Sequence, residues 1–215
     1  MVALLLLWAV SEIAIPGMAA SYARGEIKKR YPDAQGVSVS VRAFPAVKLA
    51  FKKYDRLTVK CSNVTLQGVL FNDILLNSRS WPAGEYSASI GQDEITRFFS
   101  IEKSYISDPR IVLAPTGIVV TGRVNTGFSN VNVEATGSLE PVDGRYVFFR
   151  PVEIKVAGAT LPGQATELVR QVMEKQPVFV VRMDLPYLIT RIQPEGGKLV
   201  LTGTVDMEKA LNIKL

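Results

Sequence analysis

From Gly36 onward the chain alternates between apolar and polar positions. Val37, Val39 and Val41 are separated by Ser38 and Ser40, and Leu57, Val59 and Cys61 by Thr58 and Lys60. The same period of two returns at Ile118 and Val120, at Val131, Val133 and Ala135, at Val152, Ile154 and Val156, and at Leu199 and Leu201. Successive side chains of a strand point to opposite faces, so these runs predict strands with one apolar face each. Turn residues bound them, as in Pro115-Thr116-Gly117, Asp143-Gly144 and Gly196-Gly197. Before Gly36 the period is helical. Ile15, Ala19, Tyr22, Ala23, Ile27 and Tyr31 fall on one stripe, which predicts an amphipathic helix over 14–31 with Pro16 in its first turn and Pro32 ending it. Two shorter helices are expected over 93–103, carrying Ile95, Phe98 and Phe99, and over 162–175, with the stripe Leu161, Ala165, Leu168, Val169 and Val172. Thr160 and Pro162 suit the cap and first turn of the latter. The order predicts an α+β fold, a large antiparallel sheet with a long N-terminal helix and two shorter ones laid on one face. A twisted sheet of that length tends to curl around whatever covers it.

Composition narrows the chemistry. The chain has 215 residues, 47% hydrophobic and 21% charged, which suits one folded domain rather than a disordered chain. It contains no histidine and one cysteine, Cys61. That removes the Ser-His-Asp triad, the Cys-His pair, histidine zinc motifs and any intrachain disulfide. Ser100-Ile101-Glu102-Lys103 has the S-x-x-K form without its companion motifs, and Asp93-Glu94 sits where acids favour a helix N-terminus. No catalytic residue, metal site or cofactor is expected. The Phe residues at 98, 99, 128, 148, 149 and 179, with the apolar run Val178–Val181, put apolar groups on both faces of some strands. Such strands are either sandwiched in a thick core or border a cavity.

Charge is unevenly spread. The net charge is +5, but Arg24–Lys60 alone carries ten basic and three acidic residues, +7, so the remainder is −2. Ahead of this stretch lies VALLLLWAV, an uncharged run from Val2 to Val10. An apolar start followed by a basic segment is the order of a membrane-proximal tether facing an anionic leaflet, and it argues against nucleic acid as the partner. A solvated basic face with no partner is the other reading. Residues 1–13 are expected to be an apolar membrane anchor or signal remnant, and 14–215 a single domain.

At this point a resemblance enters. The stretch IPGMAASYARGEIKKRYPDAQGVSVSVRAFPAVKLAFKKYDRLTVKCSNV resembles the start of the LmeA-like phospholipid-binding family, with the helix ending at Tyr31-Pro32, the Val-alternating strand and the Phe44-Pro45 step. Leu161-Pro162, Leu185-Pro186-Tyr187 and GGKLVLTGT fit further on. The resemblance implies a tubular lipid-binding-like half barrel, a long helix cradled by a strongly curved antiparallel sheet, with phospholipid as the ligand and an extracytoplasmic place in the cell envelope. On this reading the protein is a non-enzymatic lipid binder or shuttle, with acyl chains between sheet and helix. The expected lipid-lining residues are Val37, Val39, Val41, Leu57, Val59, Ile118, Val120, Val131, Val133, Leu168 and Val172. The expected membrane-surface residues are Lys28, Lys29, Arg30, Lys48, Phe51, Lys52 and Lys53. A ligand-free envelope module with a basic docking face, its partner protein unknown, is the alternative. An enzyme acting on envelope lipids is a third, which no motif supports.

Overall fold

The structure, a computed structural model, describes residues 2–51, 53–102, 106–115, 117–125, 130–164, 167, 171 and 177–211, with backbone alone for 2–10, 99–102, 106, 125 and 211. The fold is α+β. A helix α1 (Val2–Arg30) leads into β1 (Gln35–Arg42), a 3-10 turn (Ala46–Phe51), and then β2 (Arg56–Leu66), β3 (Val69–Ser78) and β4 (Ala83–Gly91). Helix α2 (Gln92–Glu102) follows, then β5 (Ile106–Ala114), β6 (Gly117–Asn125), β7 (Asn130–Val142), β8 (Tyr146–Val156) and the short β9 (Ala159–Thr160) and β10 (Phe179–Val180). The chain returns through β11 (Tyr187–Glu195) and β12 (Lys198–Asp206) to a short helix, α3 (Met207–Leu211).

The strands form two antiparallel sheets rather than one. The first has the order β1-β2-β3-β4-β12-β11, and the second β10-β8-β7-β6-β5 with β9 beside β8. Helix α2 interrupts the meander after β4, and β12 takes the place beside β4 that β5 would have occupied. Two cores result. In one, Ala23 and Ile27 of α1 bury against Val39, Leu57, Val59 and Leu76. In the other, Ile90, Leu199 and Leu201 of the first sheet meet Ile111, Ile118, Val147 and Phe149 of the second, with Ile95 of α2 beside them.

The first sheet must curl. Its edge strands are five spacings apart, about 24 Å if it were flat. Yet α1 packs on β1 at one edge, while Tyr31, just past its C-terminus, brings its hydroxyl to 3.3 Å from that of Tyr187 on the other edge. A helix only about 10 Å across spans both edges only when the sheet wraps around it. The sheets are not closed into a barrel. Gly203 permits part of this wrapping. Between Ile189 and Arg191 the β11–β12 register shifts by one residue. A side chain at 203 would run into the Leu188 carbonyl and the Tyr86 ring.

Helix α1 begins earlier than the apolar stripe predicts, so Pro16 lies in its interior rather than its first turn. Proline removes one helical hydrogen bond there. The carboxylate of Glu12 accepts the Ala46 amide at 2.7 Å, tying the helix to the 3-10 turn. Of the predicted stripe, Ala23 and Ile27 are buried and Ile15 and Tyr22 are exposed. The boundary expected after residue 13 falls within this continuous helix. The helix expected over 93–103 is observed as α2, and that over 162–175 lies mostly outside the described residues.

Candidate functional site

The concave side of the first sheet holds an apolar cavity of about 90 Å³. Its floor comes from five of the six strands, through Val59, Leu76, Ala88, Leu201 and Ile189 among others. Its roof comes from Ile27 and Tyr31 at the end of α1, from Phe179, Val181 and Leu185, and from Ala210 of α3. A second cavity, of about 70 Å³, lies between the sheets and is lined wholly by apolar residues, among them Val69, Ile90, Ile95, Phe98 and Leu139. Phe71, Phe179 and Leu201 line both. The two chambers therefore adjoin, and these side chains form the pinch that divides the apolar seam they make together. Phe179 is held at the pinch by an edge-on contact with Phe98, ring centres 5.8 Å apart.

The wall of the first cavity owes its continuity to a change of phase. Leu57, Val59 and Cys61 share one face of β2, as alternation requires. Asn63 then takes a left-handed backbone, φ 52°, a conformation asparagine adopts more readily than most residues. Beyond it Val64 and Leu66 line the cavity with Val59 and Cys61. The paired strand does the same, Leu76 and Ile74 being followed on the wall by Phe71. Apolar lining thus continues along both strands, from Val59 and Leu76 toward Gln67, an exposed residue at the rim.

Few polar groups face this interior. The Tyr31 and Tyr187 hydroxyls meet at 3.3 Å, and Tyr31 also donates to the Ala210 carbonyl at 3.5 Å. Burial pushes the Tyr86 and Tyr187 hydroxyls above the ordinary tyrosine range, with Tyr31 adding to the effect at Tyr187. Burial likewise pushes the Cys61 thiol up to about 11. At neutral pH Tyr86, Tyr187 and Cys61 are uncharged, so these groups add no charge to the hydrocarbon wall. Among the described residues no cluster of His, Cys, Asp and Glu could hold a metal ion. Such an interior solvates an apolar chain and excludes water. On the far side of Leu185 lies an open polar cleft walled in part by Arg56, Arg79 and Arg145.

The sequence-predicted lining residues fall in several places. Val59 lies on the cavity wall. Val37, Val39 and Leu57 are buried in the core under α1, with Val41 packed against it. Ile118 is buried in the second core and Val120 packs against it. Val131 and Val133 are half-buried, Val133 bordering a polar surface groove. Leu168 and Val172 lie outside the described residues. The cavity is completed instead by Phe71, Ile74, Leu76, Ala88, Phe179, Tyr187 and Leu201. Phe179 and Leu201 belong to runs the sequence marks as apolar. Phe71 and Ile74 carry no alternation that would single them out.

The predicted membrane-surface residues split into two groups. Lys28, Lys29 and Arg30 are exposed in the last turn of α1, where cations suit the helix dipole. Lys29 pairs with Glu26 at 2.7 Å, and Arg30 donates to the Lys209 carbonyl. Lys48, Phe51 and Lys53 lie at the 3-10 turn, beside Glu12. Lys48 pairs with Asp55 at 3.0 Å, and Lys52 lies outside the described residues. The seventeen helical rises from Glu12 to Lys29 put about 25 Å between the groups. Among the described residues no helix is long and apolar enough to cross a membrane.

The family model described as LmeA-like phospholipid-binding matches residues 10–204 of the chain. No curated protein and no solved structure matches it.

Proposed function

The chain belongs to the LmeA-like phospholipid-binding family, and from that premise we propose that it is a non-enzymatic phospholipid carrier of the cell envelope. It stays close to a membrane through its N-terminal segment. An acyl chain lies in the seam between the curled sheet and the end of α1, and the lipid is passed on rather than held permanently. The observation that carries this reading is the pair of apolar cavities sharing Phe71, Phe179 and Leu201. Burial of one methylene is worth about 0.8 kcal/mol, so ten contribute on the order of 8 kcal/mol before the cost of ordering the chain.

Size sets a condition. A dry cavity of about 150 Å³ takes up a benzene molecule, and neither chamber here reaches that, at about 90 and 70 Å³. A whole acyl chain therefore requires the Phe71–Phe179 pinch to open and the roof to move outward. On this reading the seam widens as lipid enters and closes again as it leaves.

Native mass spectrometry of the purified protein, followed by organic extraction, tests the reading. A phospholipid at near-unit stoichiometry is expected, or its uptake from vesicles and delivery to acceptor vesicles. Protein that neither carries lipid nor acquires it would leave the ligand-free envelope module as the better account.

A further inference from the structure

The end of the molecule opposite Gln67 carries a group of exposed apolar side chains that no part of the cavity uses. Phe44, Val47 and Phe51 are 63%, 57% and 71% exposed, and all lie in the crossing from β1 to β2. Ile13, next to Glu12 on α1, is 80% exposed. That segment, Phe44–Phe51, is eight of the thirteen residues between Arg42 and Arg56; large apolar groups scattered singly need no explanation, but several on one short segment do.

The segment is held firmly. The Phe44 amide donates to Asp55 at 2.7 Å, Lys48 donates to the other oxygen of the same carboxylate at 3.0 Å, and the Ala46 amide donates to Glu12 at 2.7 Å. Ala46 itself is buried. These bonds fix the turn with Phe44, Val47 and Phe51 outward, when a pliable loop could have folded them in.

A second observation concerns charge. Arg42 and Arg56 are direct cross-strand partners at the ends of β1 and β2. Like charges directly opposite one another destabilise a strand pair. Both are exposed, and among the described residues neither guanidinium is paired with a carboxylate. Lys53, in the same crossing, is exposed as well. Two guanidiniums that repel each other across a ladder are stabilised by an anion lying between them, and arginine is well suited to phosphate.

From these two observations we propose that the Phe44–Phe51 turn is a membrane-docking tip. Phe44, Val47 and Phe51 enter the interface of a bilayer, and Arg42 and Arg56 clasp the phosphates of its anionic lipids. The apolar run Val2–Val10 enters the same membrane, since α1 is tied to the tip through Glu12. The docking surface lies apart from the acyl-chain seam, so the two readings fail separately.

The test uses full-length protein carrying Cys61→Ala, with an environment-sensitive fluorophore on Phe51→Cys or, as the distal control, on Glu195→Cys. Vesicles contain phosphatidylcholine with or without phosphatidylglycerol. On anionic vesicles the label at 51 is expected to shift to the blue and to be quenched by lipids brominated in their chains, while the label at 195 stays in water. Arg42→Gln with Arg56→Gln is expected to weaken binding to anionic vesicles by about tenfold to thirtyfold and to leave binding to neutral ones unchanged. A label at 51 that remains in water on vesicle-bound protein overturns the proposal. So does an unchanged anionic preference in the double variant, whose fold circular dichroism would verify. Protein that docks in this way yet neither carries phospholipid when purified nor takes it up from vesicles would count against the carrier reading alone.

Discussion

Ala88 offers a clean test of the cavity. It is buried on β4, paired with Ile74 on one side and Leu201 on the other, and its methyl group faces the chamber of about 90 Å³. Replacing it with leucine adds three carbons that point into that chamber. At about 0.8 kcal/mol for each, the gain in burial is near 2.4 kcal/mol. Ordering the leucine side chain costs roughly 0.5–1 kcal/mol, which leaves about 1.5 kcal/mol in favour of the folded, empty protein. For a chain of this size that raises Tm by about 3–6 °C. The same three carbons occupy the volume of three lipid methylenes, so phospholipid affinity is expected to fall about fiftyfold. Stability and binding move in opposite directions, which a merely structural position would not produce. Thermal melts of delipidated protein and a lipid-uptake titration read the two quantities. If Ala88→Leu were stabilised as expected yet bound lipid as tightly as the parent, the seam would not be the lipid site.

Other consequences follow from the same geometry. With its thiol pushed up to about 11 by burial, Cys61 is expected to be alkylated slowly at neutral pH, at a rate that climbs about tenfold per pH unit until the pH nears that value. Since Cys61 lines the cavity, bound lipid should slow the reaction further at every pH. Gly203→Ala is expected to cost at least about 2 kcal/mol in denaturant melts, because its methyl group meets the Leu188 carbonyl and the Tyr86 ring. Phe179→Ala opens the pinch, and lipid extracted from that variant is expected to shift toward longer chains, even though losing the ring costs about 3 kcal/mol of stability. Four carboxyls are held below the ordinary range: Asp33 by the Thr65 amide, Asp55 by Lys48, Asp73 by Lys198 and Glu94 by Arg97. Their stabilisation is complete above about pH 4–5, where the unfolded carboxyls are ionised, and is lost as pH falls through the lower folded values. An acid titration should therefore show unfolding only below about pH 4, and Asp33→Asn should make that limb less steep.

Much of this was legible along the chain. The period-two runs at Val37–Val41, Leu57–Cys61 and Leu199–Leu201 mark strands with a buried face, because alternation depends only on the pleat. The division into two sheets was not. It depends on β12 pairing with β4 across more than a hundred residues of intervening chain, a choice that no local pattern encodes. The cavity wall was legible only in part, for the reason seen at Asn63. Alternation predicts the face of a residue only while the backbone stays extended, and one left-handed residue brings Val64 rather than Asn63 to the wall. The extent of α1 escaped because its N-terminal half carries no amphipathic stripe. The tip was visible as a Phe-Pro step near basic residues. Its outward display was not, since the bonds from Asp55 and Glu12 that impose it join residues distant in sequence.

The length of β2 has one more consequence. Its eleven residues put about 33 Å between Arg56, beside the tip, and Leu66, beside the rim residue Gln67. The headgroup layer of a bilayer is only about 5–7 Å deep on each side. A molecule docked by its tip, with β2 standing steeply, therefore raises that rim well clear of the lipids that hold it. The strand then acts as a stanchion. On the docking proposal it sets a fixed reach between the docked membrane and the rim at Gln67.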